Sequence, residues 1–229
     1  MQPNTNFGNI ADLKPGDVFL CHCKPDEDFV AKKIFDLTAS EYCHAAIYYG
    51  DCLAAESTAK DGVKKGKIEK ISVSNLISRY DHVAVLRQPD AWATDDKVKA
   101  LQLFIDKVVK NEAKYNLSGI LSFKNRKELH EANIQKKLEA FFADPKNIAS
   151  TEKVKYFCSE FVCDCFIAVG FIQPSAAVIF QSDTYSPGDL GKESAFGTFW
   201  GYLTKNQNYT VPEHDYYYRA TTYDALFGA

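Results

Sequence analysis

The order of apolar and polar positions divides the chain into short strand-like runs and longer helix-like stretches. Lys14-Pro15-Gly16-Asp17 carries turn chemistry, and the apolar Val18-Phe19-Leu20 behind it predicts a short buried strand. From Asp28 to Thr38, the residues Phe29, Ile34, Phe35 and Leu37 recur among charges at the spacing of one helical face. The pattern then turns strand-like: Ala45 to Tyr49, a Gly50-Asp51 turn and Cys52 to Ser57 predict a β-hairpin. Lysines crowd the stretch from Lys60 to Lys70, which reads as a solvated loop or a strand edge kept charged against unwanted pairing. A polar helix over Val73 to Tyr80 and a strand over His82 to Arg87 follow. Between Asp95 and Glu112, Val98, Leu101, Ile105 and Val108 alternate with lysines, predicting an amphipathic helix.

Asn125 to Ala143 is helical in pattern but densely charged, and with its flanks, from about 124 to 153, it reads as an insertion bordering a site. Tyr156 to Phe171 gives the strongest helical signal, with Phe157, Phe161, Val162, Cys165, Phe166 and Val169 on one face and a stop at Gly170. Beyond lie the turn-rich Ser182 to Leu190 and an aromatic stretch from Phe196 to Tyr218, expected as short strands or loops on the core. Some five strands between helical regions predict an α+β fold, and one domain over residues 1–229 is the simplest organisation at this length.

Composition narrows the function classes. With 46% hydrophobic and 25% charged residues the chain reads as globular, and its apolar runs are too short for a membrane span. A net charge of -3 leaves no basic field to gather phosphates, so no nucleic-acid partner is expected. The opening MQPNTNFGNIADLKPGD lacks a basic leader and an apolar run, so a cytoplasmic location is the expectation. Seven cysteines without repeated spacing fit free thiols better than a disulfide framework.

The candidate chemistry begins in the hairpin. If Tyr49-Gly50-Asp51 form its loop, Tyr48 faces Cys52, and counting back along each arm puts His44 opposite Glu56 on one face, about 5 Å apart at Cβ. A carboxylate beside an imidazole fixes its tautomer and stabilises the cation formed when the ring takes a proton. The nucleophile is sought elsewhere, and Cys158 stands where the polar Lys153-Val154-Lys155 meets the strongest helix. Amides at a helix N-terminus favour a thiolate there and can hold an oxyanion. Cys163 and Cys165 fall inside the helix and are expected to be packing residues. Cys21-His22-Cys23 invites a metal reading, but strand alternation separates the histidine from the two cysteines and no second ligand pair stands nearby in sequence, so no metal or cofactor is expected.

The order of these features resembles a known family. Gly16-Asp17, His44 at a strand start, Glu56 in the next strand and Tyr156-Phe157-Cys158-Ser159-Glu160-Phe161-Val162 opening a helix resemble the circularly permuted NlpC-like papain fold, closest to its YiiX/YaeF-like branch. The histidine precedes the cysteine, as in that branch and in the lecithin retinol acyltransferase-like group. Ser186-Pro187-Gly188-Asp189-Leu190 and Lys114-Tyr115-Asn116 resemble segments flanking the catalytic helix in these proteins. The resemblance covers about residues 14–123 and 154–191. It implies Cys158 as nucleophile, His44 as base and Glu56 as the third polar residue, with the helix packed on an antiparallel sheet or small barrel. It also implies hydrolysis or transfer at an amide or ester carbonyl of a peptide, cell-wall peptide or lipid, without a cofactor.

Other classes fit the same residues. A non-catalytic module could hold an acyl or peptide ligand in the same cleft, and a metal-binding or redox protein could use Cys21, Cys23 and other thiols. Glu160 belongs to the resembling motif, yet a first-turn carboxylate favoured by the helix dipole accounts for it without a catalytic role.

Overall fold

A computed structural model describes residues 6–23, 29–59, 66–90, 94–144, 153–206 and 208–228. It is α+β, with one curled sheet and helices packed on it. The strands are β1 (Val18–His22), β2 (Tyr42–Gly50), β3 (Leu53–Thr58), β4 (Lys67–Ser72), β5 (Val83–Arg87), β6 (Lys114–Tyr115), β7 (Lys155–Tyr156) and β8 (Thr198–Leu203), in the order β7-β6-β4-β3-β2-β1-β5-β8. The helices are α1 (Phe29–Thr38), α2 (Val73–Ile77), α3 (Asp95–Lys110), α4 (Leu117–Leu121), α5 (Phe123–Ala143), α6 (Cys158–Ala168), α7 (Pro174–Ala177), α8 (Pro187–Lys192) and α9 (Tyr223–Phe227). Among the described residues no helix is long and apolar enough to cross a membrane.

The central strands are apolar on both faces because both are covered. In β1, Val18 and Leu20 join one core cluster with Ile47, Phe161 and Phe166, while Phe19 and Cys21 join another with Ala46, Tyr48 and Leu76. α6 lies deep in the first cluster, and every residue from Cys158 to Phe166 is buried. It ends as its sequence requires: Gly170 adopts φ +72° just past the C-cap Val169. A buried bidentate pair, Arg87 Nε to Asp17 Oδ1 at 3.0 Å and Nη2 to Oδ2 at 2.6 Å, ties the turn before β1 to the end of β5.

Three expectations are corrected. The sheet is mixed, because β6 and β7 pair in parallel, with Lys114 beside Lys155 and Tyr115 beside Tyr156. Both strands are two residues long and too short for their own sequence pattern to announce them. The lysine-rich stretch includes a paired strand: β4 runs against the whole of β3 and meets β6 at Lys67 and Lys114, and residues 60–65 of that stretch lie outside the described residues. The hairpin loop is Asp51-Cys52, both at positive φ (52° and 58°), with an irregularity between Tyr48 and Gly50.

Candidate active site

The hairpin correction decides how His44 and Glu56 meet. In the observed register Ala46 pairs with Glu56, and His44 pairs on its other side with Cys21 of β1. His44 and Glu56 are therefore diagonal neighbours. The register differs from the expected one by an even step, which keeps both side chains on one face. His44 Nε2 lies 2.7 Å from Glu56 Oε2, close enough for a direct hydrogen bond.

Cys158 is the first residue of α6, and its thiol acts on the His44 ring, raising the ring's affinity for a proton. The three expected site residues are thus brought together in one line, Cys158–His44–Glu56. Burial alone would strip the charge from His44, but the neighbouring Cys158 thiol, the hydrogen bond to Glu56 and the carboxylate's charge outweigh it and lift the imidazole to about 10. Burial likewise pushes Glu56 up, and the His44 contact together with the charges of His44 and Arg79 overrides it, holding the carboxyl down to about 2.

Two neighbours were not anticipated from sequence. Arg79 Nη2 donates to the same Glu56 oxygen at 2.6 Å, supplying the cation that a fully buried carboxylate needs. Tyr80 stacks on His44, with ring centroids 6.0 Å apart and planes 11° apart. Both sit beyond the end of α2, in the helical stretch expected over Val73 to Tyr80. The available signal was indirect: Ala54 and Ala55 mark Glu56 as buried, and a buried carboxylate requires a cation from somewhere.

Backbone placement is equally specific. Ser57, next to Glu56, donates its hydroxyl to the Tyr156 carbonyl at 2.7 Å, and the Asn116 amide donates to the same oxygen at 2.8 Å. The strand bearing Glu56 is thereby tied to the residues that lead into Cys158. Phe157 occupies the N-cap of α6 and has no side-chain acceptor, so the first-turn amides carry no side-chain cap. Glu160 is buried and accepts from the Phe157 amide at 3.2 Å and from Lys153 Nζ at 2.9 Å. It fastens the approach to the helix and does not join the His44 line. Cys163 and Cys165 are fully buried in the core, and burial raises both thiols well above their usual value.

Beside Cys158 lies a small, half-open cleft walled by Ile34 and Leu37 of α1, Ile120, Phe123, Phe157 and Pro187. α5 contributes Phe123 and is fixed against the segment leading to α8. Arg126 Nη2 donates to the Asp183 carbonyl at 3.0 Å, Lys127 pairs with Asp189 at 2.9 Å, and buried His130 contacts the Ile179 carbonyl at 2.9 Å.

No protein-family model and no solved structure matches the chain. Among curated proteins it is similar to the probable lipoprotein peptidase YaeF of Escherichia coli (strain K12), with 27% identity over 200 residues covering 81% of this chain and 67% of that protein.

Proposed function

We propose that the chain is a thiol-dependent hydrolase or acyltransferase that cleaves an amide or ester bond through a thioester on Cys158. The observation that carries this reading is the continuous line from the Cys158 thiol through His44 to buried Glu56, at a helix N-terminus without a side-chain cap. The peptidase named in the similar protein fits a hydrolase at the coarser level.

In this mechanism His44 holds the proton taken from Cys158, and Glu56 stabilises the imidazolium. The thiolate attacks the carbonyl carbon, and first-turn amides of α6 donate hydrogen bonds to the developing oxyanion. The imidazolium then returns its proton to the leaving amine or alcohol, and water or another acceptor, deprotonated by His44, releases the acyl group. The apolar walls of the cleft favour an acyl chain or a bulky apolar side chain beside the scissile bond, so lipid amides, lipid esters and apolar peptides rank before polar cell-wall peptides. A single domain in the permuted papain arrangement is part of the same proposal, since His44 precedes Cys158 in the chain.

The test is covalent trapping. Incubation with acyl and peptidyl electrophiles of graded chain length, followed by peptide mapping, should find the adduct on Cys158, with longer apolar groups reacting faster. A binding module would show no preference for Cys158 among the seven thiols, and that result would reject the enzyme reading.

A further inference from the structure

Away from the cleft, His22 and His82, two of the five histidines, gather around the carboxylate of Asp215. His22 ends β1, His82 precedes β5, and Asp215 comes from the C-terminal aromatic tail. The side chains of His82 and Asp215 are fully buried, with His82 Nε2 2.9 Å from Asp215 Oδ2. The rings of His22 and His82 lie 4.4 Å apart between centroids. One ligand atom from each of the three residues falls within 4.8 Å of the other two.

We propose that His22, His82 and Asp215 form a binding site for one divalent transition-metal ion of the zinc class, seated between His82 Nε2 and Asp215 Oδ2 with His22 as the third ligand. Two imidazoles and a carboxylate suit zinc and its neighbours, and leave a position for water or a further ligand. A supporting shell is already built. Tyr202 donates its hydroxyl to Asp215 Oδ1 at 2.5 Å, Tyr42 to Oδ2 at 2.8 Å, and the Tyr217 amide to Oδ1 at 2.9 Å. The Tyr209 hydroxyl stands 2.9 Å from His82 Nδ1. Coordination through Nε2 requires the ring proton on Nδ1, where the Tyr209 oxygen can accept it, and such outer contacts orient metal-bound histidines.

His22 is the residue that a purely structural network leaves unexplained. Its Nδ1 is buried without a hydrogen-bond partner, which is costly unless something occupies it. The three ligands come from parts of the chain distant in sequence, and an ion there would clamp the aromatic tail to the sheet. None of this depends on the thiol chemistry.

The experiment uses the full chain carrying Cys158→Ala, which removes one competing thiol. Chelator-stripped protein is titrated with Co2+ and with Zn2+ and followed by visible absorption, calorimetry and thermal unfolding. One equivalent should bind, with visible cobalt bands, no near-ultraviolet thiolate-to-cobalt band, and a higher melting temperature. His22→Ala should weaken binding at least tenfold while its metal-free melting temperature stays near the parent's, and Asp215→Asn should abolish binding. Failure of the parent to bind either ion at micromolar concentration would overturn the proposal. So would a thiolate band, or equal affinity in His22→Ala.

Discussion

At the residue scale, the Cys158–His44–Glu56 line assigns unequal losses. Cys158→Ala should abolish turnover, because no thioester can form, and His44→Ala should lower kcat by a comparable order. The two losses should not add, since both remove one step, and the double variant measures this. Glu56→Gln keeps the shape and one hydrogen bond, so it should cost less than Glu56→Ala. Full activity in Cys158→Ala would end the thiol mechanism. Arg79 carries a separate prediction. Its guanidinium lies on a fully buried carboxylate, so Arg79→Met should destabilise the fold by about 3–5 kcal/mol, the usual cost of orphaning one half of a buried pair. Chemical denaturation measures it, and a loss below about 1 kcal/mol would mean that His44 alone sustains the Glu56 charge. The burial of Glu56 was legible from the alanines before it in the strand. Arg79 as the donor was not, because it reaches Glu56 from a different element, 23 residues along the chain.

At the scale of elements, the β2–β3 hairpin shows how parity outlasts register. The expected loop was longer than the observed Asp51-Cys52 turn, yet the irregularity at Gly50 restored an even offset and kept His44 and Glu56 on one face. The tie from Ser57 to Tyr156 then positions the residues before Cys158 against that face. The helical insertion expected from about 124 to 153 begins as α5, whose Phe123 walls the cleft, while residues 145–152 lie outside the described residues. A helix pinned by Arg126, Lys127 and His130 beside the cleft is expected to act on access to it. Replacing residues 125–143 with a short linker should broaden the acyl groups accepted and raise KM for long apolar ones, with kcat for the smallest substrate nearly unchanged. Identical specificity constants across a chain-length series would reject that role.

At the scale of the whole molecule, the site should imprint a pH profile on stability. Glu56 is held down to about 2 in the folded chain, so its contribution is complete above its ordinary value near 4.5 and drains away as pH falls towards 2. His44 is lifted to about 10, so its contribution is complete below about 6.5 and is lost as pH rises through 10. Stability from this pair should therefore plateau between about pH 4.5 and 6.5 and decline on both sides. Glu56→Gln should flatten both declines, read as urea midpoints from pH 3 to 10, and superimposable profiles would show that the pair is not coupled to folding. By itself the sequence determined the α+β character, most element positions and the shared sheet face of His44 and Glu56, because period and parity are local properties of a chain. It also marked Cys158, because a helix start is written in neighbouring residues. Tertiary structure alone decided the parallel β6–β7 pair, Arg79 on Glu56, the apolar cleft beside Cys158, and the meeting of His22, His82 and Asp215. Each joins segments far apart in sequence, and their contact is set by how the sheet curls and the helices pack, which no local pattern encodes.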